Sequence, residues 1–251
     1  MKRVIEPVRK SLLDVIKKNL RATGKITYIT RVTYVGEYIG ENVNLEQQIE
    51  SIINSLQEDY INIPITGLFL IYPKYFVHVI ESAEDIIYRH FKALINFENK
   101  KCKIKRAIYL PTYHHVHQRF FSQWSYVYSI PPSLIQPFTS FELDDILYQM
   151  SNCFRKIYIL CDHISNTIKD SSIPMNEVVK TLNEKFAPYY PESTLLEYLL
   201  NIRHPVILTI EDYLKIFSVT PTINLYSDTI WPAPRDMIFC PELKKNDYNK
   251  D

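Results

Sequence analysis

The stretch Ile65-Thr-Gly-Leu-Phe-Leu-Ile-Tyr-Pro73-Lys74-Tyr-Phe-Val-His78-Val-Ile-Glu81 holds two apolar runs, Thr66 to Tyr72 and Tyr75 to Glu81, parted by only two residues. Branched and aromatic side chains at that separation predict a β-hairpin. On its N-terminal side, Leu45, Ile49, Ile52, Ile53 and Leu56 recur at helical spacing behind Asn44 and Gln47, which read as a capping box, and the helix stops before Pro64. On its C-terminal side Ser82 can cap a helix carrying Ile86, Ile87, Phe91, Leu94 and Ile95. Further strands are predicted at Lys25 to Val32, before a polar loop holding Gly36 and Gly40, and at Ile104 to Leu110 and Trp124 to Ile130. The order strand, helix, strand, strand, helix, strand, strand is a split βαβ arrangement. It predicts an α+β, ferredoxin-like fold whose antiparallel or mixed sheet carries two helices on one face.

Outside this core the periods change. Val4, Val8, Leu12, Val15, Ile16 and Leu20 lie three or four apart among Lys and Arg, an amphipathic helix from near Pro7 to before Gly24. After Pro131-Pro132 the pattern is helical only. Thr139 and Glu142 form a candidate capping box for a long helix from Leu143 to Ile168, and shorter helices fit Met175–Phe186, Leu195–Ile202 and Ile210–Phe217, the last capped by Thr209 with Asp212. From Pro221 the chain is proline-rich and irregular. Four segments are therefore expected: a basic helix at 1–24, the sheet domain at 25–130, a helical region at 131–220 that is either a domain or an extension, and a proline/aromatic tail at 221–251.

Composition excludes several functions. The chain of 251 residues has four glycines, Gly24, Gly36, Gly40 and Gly67, at which none of the phosphate-cradling loops GxxxxGK[ST] and GxGxxG, nor the nucleophile elbow GxSxG, can be written. The net charge of +1 gives no reason to expect nucleic acid or an anionic membrane as partner. No apolar run reaches a bilayer span and the N-terminus lacks an apolar core, so a cytoplasmic location is expected. Cys102, Cys153, Cys161 and Cys240 form no CxxC pair and are read as reduced thiols.

Three blocks resemble the BLUF family of blue-light sensors, which bind flavin on a ferredoxin-like fold. Lys25-Ile-Thr-Tyr28-Ile-Thr30 is similar to the first strand, whose tyrosine faces the flavin in that family and is followed two residues on by a serine. Ile65-Thr66-Gly67-Leu68 through Phe76-Val77-His78 to Glu81 resembles the ITGxL and FxQxxEG block, and Arg119-Phe120-Phe121-Ser122-Gln123-Trp124-Ser125 resembles RxFxxWS. The functional positions depart from that pattern. His78 stands where a glutamine relays the hydrogen bond between tyrosine and flavin, and a neutral imidazole carries its donor and acceptor in different directions. Asp59 and Tyr60 replace the flavin-binding asparagine pair, Tyr126 follows the WS pair where methionine is customary, and Ser82 replaces the glycine of EG. The resemblance thus implies Tyr28, Asp59, Tyr60, His78 and Trp124 as vestigial flavin-site positions, with no flavin bound and Tyr60 and His78 filling part of the space between the two helices.

The whole-chain plan resembles the testis-expressed protein 47 family: basic N-terminal helix, degenerate BLUF-like core, helical C-terminal half. That resemblance implies a non-enzymatic structural or adaptor component of the ciliary or sperm flagellar axoneme. The implied partners are proteins of radial spokes or other microtubule-associated complexes, tubulin among them. The alternative from another class is a flavin-binding light or redox sensor with altered photochemistry.

Other candidates favour bland readings. Tyr28 is expected as a packed strand residue and His78 as a hydrogen-bonded core residue. His114, His115 and His117 lack a second ligand group at regular spacing and read as a polar loop rather than a metal site. Arg119 and Trp124 are expected to clip the last strand, Arg119 by bonds to carbonyls. Cys161-Asp162-His163 are adjacent on a helix, about 100° apart, and cannot face one another as a catalytic set. The basic residues Lys2, Arg3, Arg9, Lys10, Lys17, Lys18 and Arg21 fit a solvated face and an acidic partner equally well, and the tail around Trp231 and Phe239 is expected to lie as a strap on its own domain or on a partner.

Overall fold

The predicted hairpin forms in the computed structural model, which describes residues 11–96, 102–132, 138, 140–171, 174–180 and 184–219. Strands β2 (Thr66–Ile71) and β3 (Tyr75–Ser82) pair antiparallel with Ile71 opposite Phe76, and the Tyr72 N–H donates to the Tyr75 carbonyl at 2.9 Å across the Pro73-Lys74 turn. Every residue of both strands is buried, because both faces of the sheet are covered.

The first strand corrects the expectation. In place of Lys25–Val32 and a glycine loop, β1 (Thr30–Gly40) runs on through Gly36 and pairs with β3 on one side and β4 (Cys102–Tyr109) on the other. Gly36 lies opposite Phe76, and a Cβ there would come within 2.3 Å of the Phe76 ring. The glycine is thus a seat for an aromatic side chain inside a strand, not a turn. With β5 (Trp124–Tyr128) parallel to β2, the sheet is five-stranded, mixed, in the order β4-β1-β3-β2-β5.

One face is covered by α2 (Asn42–Asp59) and α3 (Glu84–Asn96), which bury Leu45, Ile49, Ile52, Ile53 and Leu56, and Ile86, Ile87, Phe91 and Leu94, against Val32, Tyr34, Phe69 and Ile80. The expected caps differ. Helix α2 begins two residues before Asn44, with Glu41 at the N-cap, and Ser82 is the last residue of β3 rather than a cap.

The opposite face is covered by the C-terminal helices α4 (Leu143–Ser171), α5 (Met175–Lys180) and α6 (Ser193–Asn201). Ile157, Leu160, Ile164, Val179, Leu196 and Leu199 share one core with Val35, Leu68, Leu70, Val77 and Val79 of the sheet. The helical region is therefore built onto the sheet. The expected helix through Phe186 ends at Lys180, and Glu184–Tyr189 is a 3₁₀ helix containing Pro188. The chain then passes the β4 edge, where the Tyr109 N–H donates to the Leu208 carbonyl, and α7 (Ile210–Ser218) sets Tyr213 against Phe91 on the first face. The predicted Thr209–Asp212 capping box is present, with both bonds made.

Helix α1 (Leu12–Ala22) starts with a Ser11–Asp14 capping box. The expected beginning at Pro7, the cap at Thr139 and the proline/aromatic tail at 221–251 lie outside the described residues. None of the helices among the described residues is long and apolar enough to cross a membrane.

Candidate functional site

Beneath α2 and α3, in the space where the resemblance implies a flavin, β1, β3, β5 and α3 bring four polar rings into one hydrogen-bonded chain. Trp124 Nε1 lies 2.8 Å from His78 Nε2, His78 Nδ1 lies 2.7 Å from the Tyr34 hydroxyl, and that hydroxyl lies 2.8 Å from His90 Nε2. An indole N–H only donates, so His78 accepts at Nε2 and carries its proton at Nδ1. Its Nδ1–H then donates to the Tyr34 oxygen, and the Tyr34 O–H donates to His90 Nε2. His90 is left with its proton on Nδ1, a buried atom without a hydrogen-bond partner.

Burial sets the charge of the chain. Tyr34, His78 and His90 are each fully enclosed. Desolvation pushes His90 down to about 3 and holds His78 well below the usual histidine range, the neighbouring His90 adding to the second shift. The same desolvation raises the Tyr34 hydroxyl well above the usual phenol range. All three are neutral near pH 7. Phe69 and Phe91 complete the filling, with centroids 4.9 Å from His78 and 5.2 Å from Tyr34. An isoalloxazine placed between sheet and helices would have to displace these rings, so the residues present do not fit it.

The positions singled out from sequence separate. His78 and Trp124 belong to the chain of rings. Tyr28 lies before β1, partly exposed, its ring 4.3 Å from that of His115 and away from His78. The tyrosine that meets His78 is Tyr34, six residues on, because the first strand is shifted toward the C-terminus. Asp59 is exposed at the end of α2, and Tyr60, its C-cap, packs at the margin of the core with the Arg89 guanidinium 5.4 Å from its ring centre. Tyr60 thus stands beside the filled space while His78 stands within it. Tyr34 and His90 were missed, although helical spacing puts His90 on the same stripe as Ile86, Ile87, Phe91 and Leu94. A histidine on an otherwise apolar face was the available signal.

A second buried polar group closes the other end of β3. Arg31 Nε donates to Glu81 Oε1 at 2.7 Å, Thr66 Oγ1 donates to Oε2 at 3.0 Å, and the Phe120 N–H reaches both carboxylate oxygens at 3.1 Å. Arg119 donates to the Glu81 carbonyl at 2.6 Å and to Thr66 Oγ1 at 3.0 Å, which is the clip expected of it. The Arg31 guanidinium lies 3.7 Å from the Phe120 ring centre. Both Glu81 carboxylate oxygens are satisfied and the carboxylate is fully buried, so the set fastens segment 118–121 to the sheet.

The remaining candidates do not assemble. Cys161 is buried in the α4 core, Asp162 accepts from Asn166, and His163 packs on Phe186. His115 and His117 line one surface depression and His114 another, and among the described residues no group of three or more potential ligand side chains is placed to hold a metal ion.

A bacterial light-regulated adenylyl cyclase is 14% identical, covering 56% of this chain and 39% of its own length, at a TM-score of 0.34. The BLUF protein BlrB in its dark state is 19% identical, covering 42% of this chain and 74% of its own, at 0.33. BlsA in its photo-activated state is 17% identical, covering 70% and 97%, at 0.30. This chain therefore spans well under half the length of that cyclase. The family model described as testis-expressed protein 47 matches residues 28–219, about three quarters of the sequence and nearly all of the sheet and helices described above. The chain belongs to the testis-expressed protein 47 family.

Proposed function

We propose that the protein is a non-enzymatic structural or adaptor component of the ciliary or sperm flagellar axoneme, acting in the cytoskeleton through protein partners, on a BLUF-like body that binds no flavin. The observation that carries the reading is the closed chain Trp124–His78–Tyr34–His90, which fills with side chains the volume a chromophore would need. Tyr34, His78 and His90 are neutral and enclosed, and Trp124 is half-buried at the end of the chain. Among the described residues the thiols are equally quiet: Cys102, Cys153 and Cys161 are buried, and desolvation pushes Cys153 up to about 12. A body whose described thiols and ring chain are buried suits a part that works by being held. The family's testis expression favours a sperm structure, and radial spokes or another microtubule-associated complex are the sites proposed.

The test is fractionation of sperm or motile cilia that carry the tagged protein. It is expected to stay with detergent-washed axonemes and to leave only under high salt or denaturant. Release with the detergent-soluble fraction, or recovery of stoichiometric flavin with its visible absorbance from native protein, would overturn the proposal.

A further inference from the structure

The outer edge of β5 has no strand partner among the described residues, since β5 ends the sheet. Its backbone orientation follows from two bonds to β2: the Gln123 carbonyl accepts from Gly67 N–H, and the Ser129 N–H donates to the Ile71 carbonyl. Peptide groups alternate sides along a strand, so those of Trp124, Tyr126 and Tyr128 point outward, away from β2. They form the floor of a groove of about 460 Å³, with Glu50 of α2 on one wall and Asn176 of α5 on the other. A row of outward N–H and C=O groups at the bottom of a trough is the geometry that accepts an added strand.

Charge tells which strand. Helix α2 contains no Lys or Arg; its Glu50 lines the groove, and Glu46, one turn before it, reaches the Tyr128 side chain there. Glu46 accepts from the Tyr128 hydroxyl, and neither carboxylate has a cationic partner among the described residues. The rings of Tyr126 and Tyr128 meet edge to face, 5.9 Å between centres, beneath these carboxylates. Aromatic faces and unpaired carboxylates together attract ammonium and guanidinium groups. We propose that the β5 edge is a docking site for an extended segment of a partner protein with Lys or Arg at alternate positions, its backbone bonded to Trp124, Tyr126 and Tyr128 and its cations directed to Glu46 and Glu50. This gives the adaptor reading a surface and rests on that reading only for the partner's cellular identity. The groove is tested in vitro, apart from the axoneme fractionation.

The probe is an acetylated, amidated heptapeptide of alternating Lys and Val, added to the full chain and followed by amide hydrogen exchange. The Tyr126 and Tyr128 amides are expected to exchange quickly in the free protein and at least about tenfold more slowly with saturating peptide. The double variant Glu46→Gln, Glu50→Gln keeps an acceptor for Tyr128 and is expected to bind the peptide at least about tenfold more weakly. A Glu-Val peptide is expected to give no protection. Equal protection by the two peptides, undiminished binding by the variant, or no protection at all would overturn the proposal. Tyr126 and Tyr128 amides already protected in the free chain would overturn it too, because a segment of the chain itself would then occupy the edge.

Discussion

The Trp124 indole N–H sets the direction of the buried hydrogen-bond chain, since it can only donate and each ring after it inherits its tautomer. Tyr34 is the middle link. Replacing it by phenylalanine leaves the His78 Nδ1–H and the His90 Nε2 acceptor without a partner, and each buried orphan costs about 1–3 kcal/mol. Tyr34→Phe is expected to lower the urea midpoint markedly, whereas Tyr128→Phe, at the exposed rim, is expected to shift it little. The two histidines also make stability depend on pH. Their folded-state values lie below the ordinary 6.5, His90 at about 3. Below pH 6.5 the unfolded chain takes up protons that the folded chain refuses, so their contribution is full above 6.5 and is lost as pH falls. The slope approaches about 1.4 kcal/mol per pH unit per histidine. Unfolding free energies measured between pH 7.5 and 4.5 should fall less steeply, by about one proton, in His90→Phe than in wild type.

At the scale of elements, strand β3 ends in a carboxylate that holds three other pieces of chain. Glu81 ties Arg31 of β1, Thr66 of β2 and the Phe120 amide before β5. Removing one partner of a buried ion pair leaves the other uncompensated, a loss of about 3–5 kcal/mol. Glu81→Ala is expected to cost that much by denaturant titration and to raise hydrogen exchange at Phe120, and a wild-type midpoint would show that the pair is dispensable. The helices were legible as elements because their apolar stripes are long and regular. Their starts were less so: Asn44 with Gln47 has the form of a capping box, yet the helix already runs through both, while Thr209 with Asp212 does cap. Composition at three spacings does not show which polar residue has a free amide in front of it. Strand β1 was misplaced for a related reason. Gly36 reads as a turn residue, and its use as the seat of the Phe76 ring depends on a residue forty positions away.

For the whole molecule, the sheet is the shared wall of two cores. Helices α2 and α3 complete one, and α4, α5 and α6 complete the other. Neither set can leave without exposing β2 and β3, which are buried along their whole length. Thermal unfolding is therefore expected as one transition, with the far-ultraviolet helix signal and the near-ultraviolet aromatic signal coinciding. Loss of the helix signal ahead of the aromatic signal would show that α4–α6 form a separate unit.

The sequence alone determined the fold class, because hairpin length, strand–helix order and apolar stripes are local patterns that few topologies accommodate. It also carried the resemblance to the BLUF family, through Ile65–Glu81 and Arg119–Ser125, and that to the testis-expressed protein 47 family, through the whole-chain plan, and it exposed the replacement at His78. Only the tertiary structure decided that Tyr34, not Tyr28, meets His78, that His90 reaches the same hydroxyl from α3, and that the C-terminal helices cover the second face. Strand register and the meeting of side chains from different elements depend on pairings 44 and 56 residues apart in the chain. No local period encodes such pairings, because they are fixed by packing the whole sheet at once.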